Sequence, residues 1–200
     1  MRRRFADVEA DLVEPGWEDR WRDFHRPVSV GPLWVGPAWE SPPPDAVAVS
    51  IDPGRAFGTG AHPTTQLCLE LLLGLDRRSL LDVGCGSGVL AIAAAKLGFH
   101  PVCAVDREVA AAEATRDNVR RNGVDVTVEL ADALTADLPA ADAVVANIDL
   151  VSIEALAPRL EARALITAGY FHSRVPRAAG FRHVERRVDG GWAADRWVRE

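Results

Sequence analysis

Little in these 200 residues supports a metal centre, a disulfide framework or a membrane span. The three cysteines, Cys68, Cys85 and Cys103, have neither metal-ligand nor disulfide spacing and are expected as reduced, partly buried thiols. His25, His62, His100, His172 and His183 likewise lack close ligand spacing, so no metal is expected. No apolar run approaches the roughly 20 residues needed to cross a bilayer. Met1 to Arg4 is basic like the start of a signal peptide, but Asp7, Glu9 and Asp11 occupy the place of its apolar core. The expectation is a cytoplasmic chain with no membrane partner. Positive charge is also short: the net charge is −6 and Lys96 is the only lysine. That disfavours nucleic acid as the main partner. The local cluster Arg182, Arg186 and Arg187 reads as the solvated face of a terminal strand pair.

What is present is a globular composition, 48% hydrophobic, at the length of one large α/β domain with or without a short appendage. Ser41-Pro42-Pro43-Pro44 is a stiff connector that divides the chain into residues 1–45 and 46–200. Before it, Trp17, Trp21 and Phe24 fall at helical spacing, and 28–35 forms a short hairpin around Gly31-Pro32. Trp34 and Trp39 join them as packing aromatics. After it come a strand over 46–51, a glycine-rich loop over 52–61 and a helix over 63–74. Pro63 suits the first turn of that helix, and Leu67/Leu71 and Cys68/Leu72 recur at i, i+4.

Apolar strands at 79–83, 101–106, 124–130, 142–147 and 163–168 then alternate with helices at 88–97, 108–122 and 151–160. Such alternation gives βαβ units and a parallel sheet covered on both faces. The runs 181–188 and 192–199 flank Asp189-Gly190-Gly191, a hairpin signal, so the sheet ends in an antiparallel pair.

Between the first strand and its helix lies Asp82-Val83-Gly84-Cys85-Gly86-Ser87-Gly88. Glycines there let the chain turn sharply and let a ligand approach the backbone, and the helix N-terminus offers N–H donors. Two ligands remain open on this pattern. Gly86 to Ala91 fits G-x-G-x-x-A with Asp106 twenty residues beyond Gly86, as in nicotinamide enzymes. Asp82 beside the turn would repel a pyrophosphate and tolerates the cationic S-adenosylmethionine. Asp106 ends the second strand, where it can accept two ribose hydroxyls, and Asp132 follows the third, within reach of an adenine amine. Asn147-Ile148-Asp149 closes the fourth strand beside the first, at the switch point, where its amide and carbonyls can hold an incoming amine.

The run Asp52-Pro53-Gly54-Arg55-Ala56-Phe57-Gly58-Thr59-Gly60-Ala61-His62-Pro63-Thr64-Thr65 resembles the signature loop of the bacterial ribosomal protein L11 methyltransferases. The resemblance continues through Leu67 to Glu70, Asp82 to Lys96, Asp106, Asn118 to Gly123 and Val144 to Ile148, and covers residues 17–200. It implies a class I methyltransferase with a mostly parallel, Rossmann-like seven-stranded sheet. It implies methyl transfer from S-adenosylmethionine to amino groups of a protein, a large-subunit ribosomal protein being the acceptor, with S-adenosylhomocysteine as product. By the resemblance Thr65, Gly84, Asp106 and Asn147 would contact the cofactor and Phe57, Gly58 and Thr59 would fold over it, while the reading of the turn and strand ends adds Asp82, Gly86 and Asp132 to the cofactor site. Asn147, Ile148 and Asp149 would face the acceptor. Members of that family also carry an N-terminal recognition domain; this chain starts close to the linker, and the expectation is a chain without it. Asp149 stands where the family has an apolar residue, and two roles follow: a carboxylate facing the acceptor amine, or an N-cap for the helix after it.

Overall fold

The computed structural model describes residues 26–52, 58 and 60–200. Trp17, Trp21, Phe24, Phe57 and Thr59 therefore lie outside the described residues.

Seven strands form the main sheet: β4 (Leu80–Val83), β5 (Val102–Asp106), β6 (Thr127–Leu130), β7 (Ala143–Asn147), β8 (Ala164–Phe171), β9 (Phe181–Asp189) and β10 (Trp192–Arg199), in spatial order β6-β5-β4-β7-β8-β10-β9. Strands β6 to β8 are mutually parallel, and β10 runs antiparallel to both β8 and β9. The chain moves outward from β4 to β5 and β6, then returns to place β7 on the other flank of β4. This reversal puts a crevice at the carboxyl ends of β4 and β7, where open α/β sheets bind ligands. The mostly parallel sheet and terminal hairpin are as the sequence implies. Gly190 and Gly191 at the β9–β10 turn both have positive φ, 54° and 85°, as a tight two-residue hairpin requires.

Consecutive side chains on a strand point to opposite faces, and the core divides accordingly. Leu80, Ala104, Val145 and Ile166 face one layer, and Leu81, Val105, Val144 and Leu165 face the other. On the first face lie α1 (Pro63–Leu73), α2 (Val89–Lys96) and α3 (Val109–Asn122). Helix α2 buries every residue from Val89 to Ala94, because a run of alanines lets its backbone approach the sheet and both neighbouring helices. Helix α1 starts as expected, with Pro63 in its first turn and the His62 ring accepting the Thr64 N–H. On the second face, α4 (Leu150–Leu156) is shorter than the 151–160 expected. A 3-10 turn over Ala157–Arg159 follows, since Pro158 lacks the N–H that a continuing α-helix needs.

A separate three-stranded sheet contains β1 (Val28–Val30), β2 (Leu33–Gly36) and β3 (Val47–Ser50). The hairpin β1–β2 is the one read around Gly31-Pro32, and β3 pairs parallel to β2 across the proline connector. Strand β3 leads straight to the glycine-rich loop, and it packs against α2 and α3. Among the described residues no helix is long and apolar enough to cross a membrane.

Candidate active site

A cavity of about 490 Å³ opens at the carboxyl ends of β4, β5, β6 and β7, within the size range of small-molecule sites. Its floor is the turn from Val83 to Gly86, and its walls carry Asp106, Asp132, Asn147 to Asp149, Thr65 and Gly58. Gly84, Gly86 and Gly88 all have positive φ (71°, 56° and 81°), a conformation that a side chain would strain. A Cβ on Gly84 would also collide with the Ile148 side chain, and one on Gly88 would lie 2.7 Å from Thr115 Cγ2. The turn is thus pressed between β7's exit and α3, leaving its upper surface to a ligand.

The amides of the turn are mostly engaged within the protein. Gly84 and Cys85 donate to the Val105 carbonyl at 2.9 and 3.1 Å, Gly88 to the Cys85 carbonyl at 2.7 Å, and Gly86 to Asp106 Oδ2 at 3.0 Å. The donors expected at the helix N-terminus are therefore not those of Gly84 to Gly86; Val89 and Leu90, the first residues of α2, line the cavity. Charge on the lining, among the described residues, points the same way: Asp106, Glu108, Asp132 and Asp149 stand against one cation, Arg107, itself 3.6 Å from Glu108. A pyrophosphate entering here would meet acids without a compensating cradle, whereas a cationic ligand is attracted.

Asp106 ends β5, with Oδ2 taking the Gly86 N–H and Oδ1 the Glu108 N–H at 2.9 Å. Two main-chain donors fix the carboxylate's plane while each oxygen keeps a lone pair for a ligand hydroxyl. Asp132 is held similarly by the Leu134 N–H at 2.9 Å. Asp82 is placed differently from the expectation. Its side chain is fully buried beneath the turn, outside the cavity lining, and Oδ2 accepts the Ala91 N–H at 3.0 Å while Oδ1 has no hydrogen-bond partner. Burial, offset partly by the Ala91 bond and reinforced by nearby Asp106, pushes this carboxyl up to about 7. Asp82 ties the start of α2 to β4 rather than touching the cavity space. Cys85 does line the cavity, but burial first and Asp82 second push its thiol up to about 12, so it offers no thiolate nucleophile.

At the mouth, β7 delivers Asn147, Ile148 and Asp149 together. Asp149 is the N-cap of α4: Oδ1 accepts the Ser152 N–H at 3.0 Å and Oδ2 the Ser152 hydroxyl at 2.6 Å. Those bonds lower its pKa, so it is a poor proton acceptor, and the capping role is the one the geometry shows. Gly169, on neighbouring β8, was not legible as a site residue. It bulges out of the β8–β10 ladder with φ 104°, and any Cβ there would collide with the Ile148 carbonyl. The backbone of β8 therefore braces Asn147-Ile148 from behind. Thr65 sits buried in the first turn of α1 and closes the opposite wall. Near it Trp192 stacks on Phe171 at 4.5 Å and meets the His62 ring edge-on at 4.8 Å.

Thr65, Gly84, Gly86, Asp106, Asp132, Asn147, Ile148, Asp149 and Gly58 are thus brought together around one cavity, and Asp82 lies under its floor. Thr115 and Ser152, which hold parts of that floor and mouth, carry no individual signal in the sequence, and Asn118 appeared there only within the resemblance over 118–123.

Comparison with known proteins bears on the family and the fold. Residues 4–175 match the family model described as Ribosomal protein L11 methyltransferase (PrmA). The chain is 49% identical over 154 residues to a protein of that description from Serratia proteamaculans, covering 74% of this chain and 52% of the relative. It is 51% identical over 154 residues to the Edwardsiella ictaluri protein of the same description, with the same coverage. The chain spans about half the length of the curated relatives it matches. A crystal structure of ribosomal protein L11 methylase from Lactobacillus delbrueckii subsp. bulgaricus superposes with a TM-score of 0.79 at 28% identity, covering 88% of this chain and all of the other.

Proposed function

The chain belongs to the ribosomal protein L11 methyltransferase family, and from that premise we propose that it transfers methyl groups from S-adenosylmethionine to amino groups of a protein, a large-subunit ribosomal protein being the acceptor. The observation that carries this reading is the acidic, glycine-floored cavity at the β4/β7 switch point with Asn147 at its mouth.

The residues present fit the cofactor. Its diol suits Asp106, whose two oxygens are oriented by Gly86 and Glu108. Its adenine suits the slot lined by Val105, Ala133, Leu134 and Asp132. Its cationic groups suit the acidic lining. Bound there, S-adenosylmethionine supplies an electrophilic methyl carbon on a positively charged sulfur.

The chain's own residues do the remaining work by placement. Asn147 and the adjoining carbonyls hold the acceptor nitrogen and direct its lone pair. A lysine with a pKa near 10.4 must lose its proton to react, at a cost of about 4–5 kcal/mol at pH 7. Entry into a partly apolar cavity beside a cation lowers that cost. Among the described residues no side chain is poised as a base: Asp149 is committed to Ser152, and proton release to water before attack fits the site.

The test is incubation of the purified chain with methyl-labelled cofactor and purified ribosomal protein L11, in parallel with a cell extract. Label in the ribosomal protein, on lysine or the α-amine, is expected. Label confined to another band reassigns the acceptor; no label in any protein refutes the activity.

A further inference from the structure

Helix α3 does not line the acceptor mouth, yet two of its buried side chains hold the cavity's floor from below. Thr115 and Asn118, 0% and 1% exposed and one helical turn apart, both face the glycine turn. Thr115 Oγ1 donates to the Gly86 carbonyl at 2.9 Å, and Asn118 Nδ2 donates to the Ser87 carbonyl at 3.0 Å. These are consecutive carbonyls of the turn, and both point away from the cavity into α3.

Each bond leads to a different wall. On one side, the Gly86 residue fixed by Thr115 gives its N–H to Asp106 Oδ2, so the plane of that carboxylate depends on how Gly86 is held. On the other side, the Ser87 residue fixed by Asn118 gives its hydroxyl to the Gly58 carbonyl, and Gly58 lines the cavity. Asn118 Oδ1 meanwhile accepts the Asp52 N–H at 3.0 Å, at the exit of β3. The main chain on both sides of residues 53–57, at Asp52 and at Gly58, is thereby tied to one point on the turn.

We propose that Thr115 and Asn118 are positioning residues for the cofactor site, Thr115 acting through Gly86 on Asp106 and Asn118 acting through Ser87 on Gly58. The inference rests on the cofactor reading above. Asn122, one turn further along α3, supplies an internal comparison. It clamps β3 by accepting the Ser50 N–H at 2.9 Å and donating to the Ser50 carbonyl at 2.7 Å, without touching the turn.

The experiment measures S-adenosylhomocysteine affinity by calorimetry, steady-state kinetics in cofactor, and melting temperature, for wild type, Thr115→Val, Thr115→Ser, Asn118→Asp, Ser87→Ala and Asn122→Ala. Thr115→Val keeps the volume and removes the donor; Asn118→Asp keeps the acceptor for Asp52 and removes the donor to Ser87. Each is expected to weaken binding about tenfold, as loss of a bond to a buried carbonyl does, raising KM for the cofactor with kcat changed less than about threefold. Thr115→Ser restores the wild-type value, Ser87→Ala weakens binding through Gly58, and Asn122→Ala lowers the melting temperature while leaving affinity within about twofold. Wild-type affinity in Thr115→Val and Asn118→Asp, or an equal loss in Asn122→Ala, overturns the proposal. A wild-type protein that does not bind the ligand refutes the cofactor reading instead.

Discussion

Asp82 and Asp106 are both acids beside the same turn, and burial separates their roles. Asp106 keeps access to the cavity, whereas Asp82 lies beneath it with one unpartnered oxygen. A folded-state value raised from 3.8 to about 7 means that the folded protein favours the neutral acid. Its contribution to stability is therefore fully present below about pH 4 and lost as pH rises through 7, on the order of 4 kcal/mol. Asp82→Asn, which cannot ionise, should make ligand-free protein more resistant to urea at pH 8 than wild type, with the difference vanishing near pH 4. Equal stability at pH 8 would show that the carboxylate is better solvated than its burial indicates. At Asp149 the expectation runs the other way. Asparagine also caps helices, so Asp149→Asn should retain methyl transfer within about threefold, while Asp149→Ala should lose about 1 kcal/mol of stability. A collapse of turnover in the asparagine variant would restore a role toward the acceptor. Spacing alone made the Gly84 turn and Asp106 legible, because the turn follows the last residue of β4 and Asp106 is the last residue of β5. It did not reveal which oxygen of Asp82 finds a partner, or that Ser152 takes both oxygens of Asp149, since those depend on neighbours in space.

At the scale of elements, β8 shows how a strand shapes a site it does not enter. Gly169 bulges toward Ile148, and the residues flanking it are locked by a buried polar network. Tyr170 donates its hydroxyl to Asp195 Oδ2 at 2.7 Å, Trp197 Nε1 donates to Thr167 Oγ1 at 2.9 Å, and Arg186 reaches both oxygens of Asp195 at 2.8 and 2.7 Å. Burial alone would raise the Asp195 carboxyl, but the bonds from Arg186, Tyr170 and His183 hold it below the usual aspartate value. Asp195→Ala should cost about 3–5 kcal/mol by leaving the guanidinium and the phenol without their partner, as urea unfolding would measure. Gly169→Ala places a methyl group against the Ile148 carbonyl at a backbone angle that disfavours side chains. It should lower kcat about 100-fold if it displaces Asn147 by as little as 1 Å, with cofactor affinity far less affected. The strands themselves were readable from apolar runs. The bulge was not, because the apolar run was read to 168 only, and Gly169 fell just beyond the expected end of a strand that continues to Phe171.

For the whole molecule, strand–helix alternation predicted the parallel order, and the glycine pair after Asp189 predicted the closing hairpin; both follow from local chemistry. The three-stranded sheet was only half visible. Its hairpin had a turn signal, whereas the parallel pairing of β3 with β2 is a long-range contact across the proline connector, with no local signature. The cavity depends on that assembly: α3, bonded to Asp52 at the exit of β3, holds the glycine turn from below, β7 carries Asn147 to Asp149 to the mouth with β8 behind it, and the cavity forms where they converge. The most direct test of this account is a calorimetric titration of S-adenosylhomocysteine into wild type and Asp106→Ala, repeated in the presence of excess NADH. One site of micromolar affinity is predicted in wild type, indifferent to NADH and weakened at least about 100-fold in Asp106→Ala, which loses charge-assisted bonds at the diol. Absence of binding, displacement by NADH, or unchanged affinity in the variant would contradict the site as described.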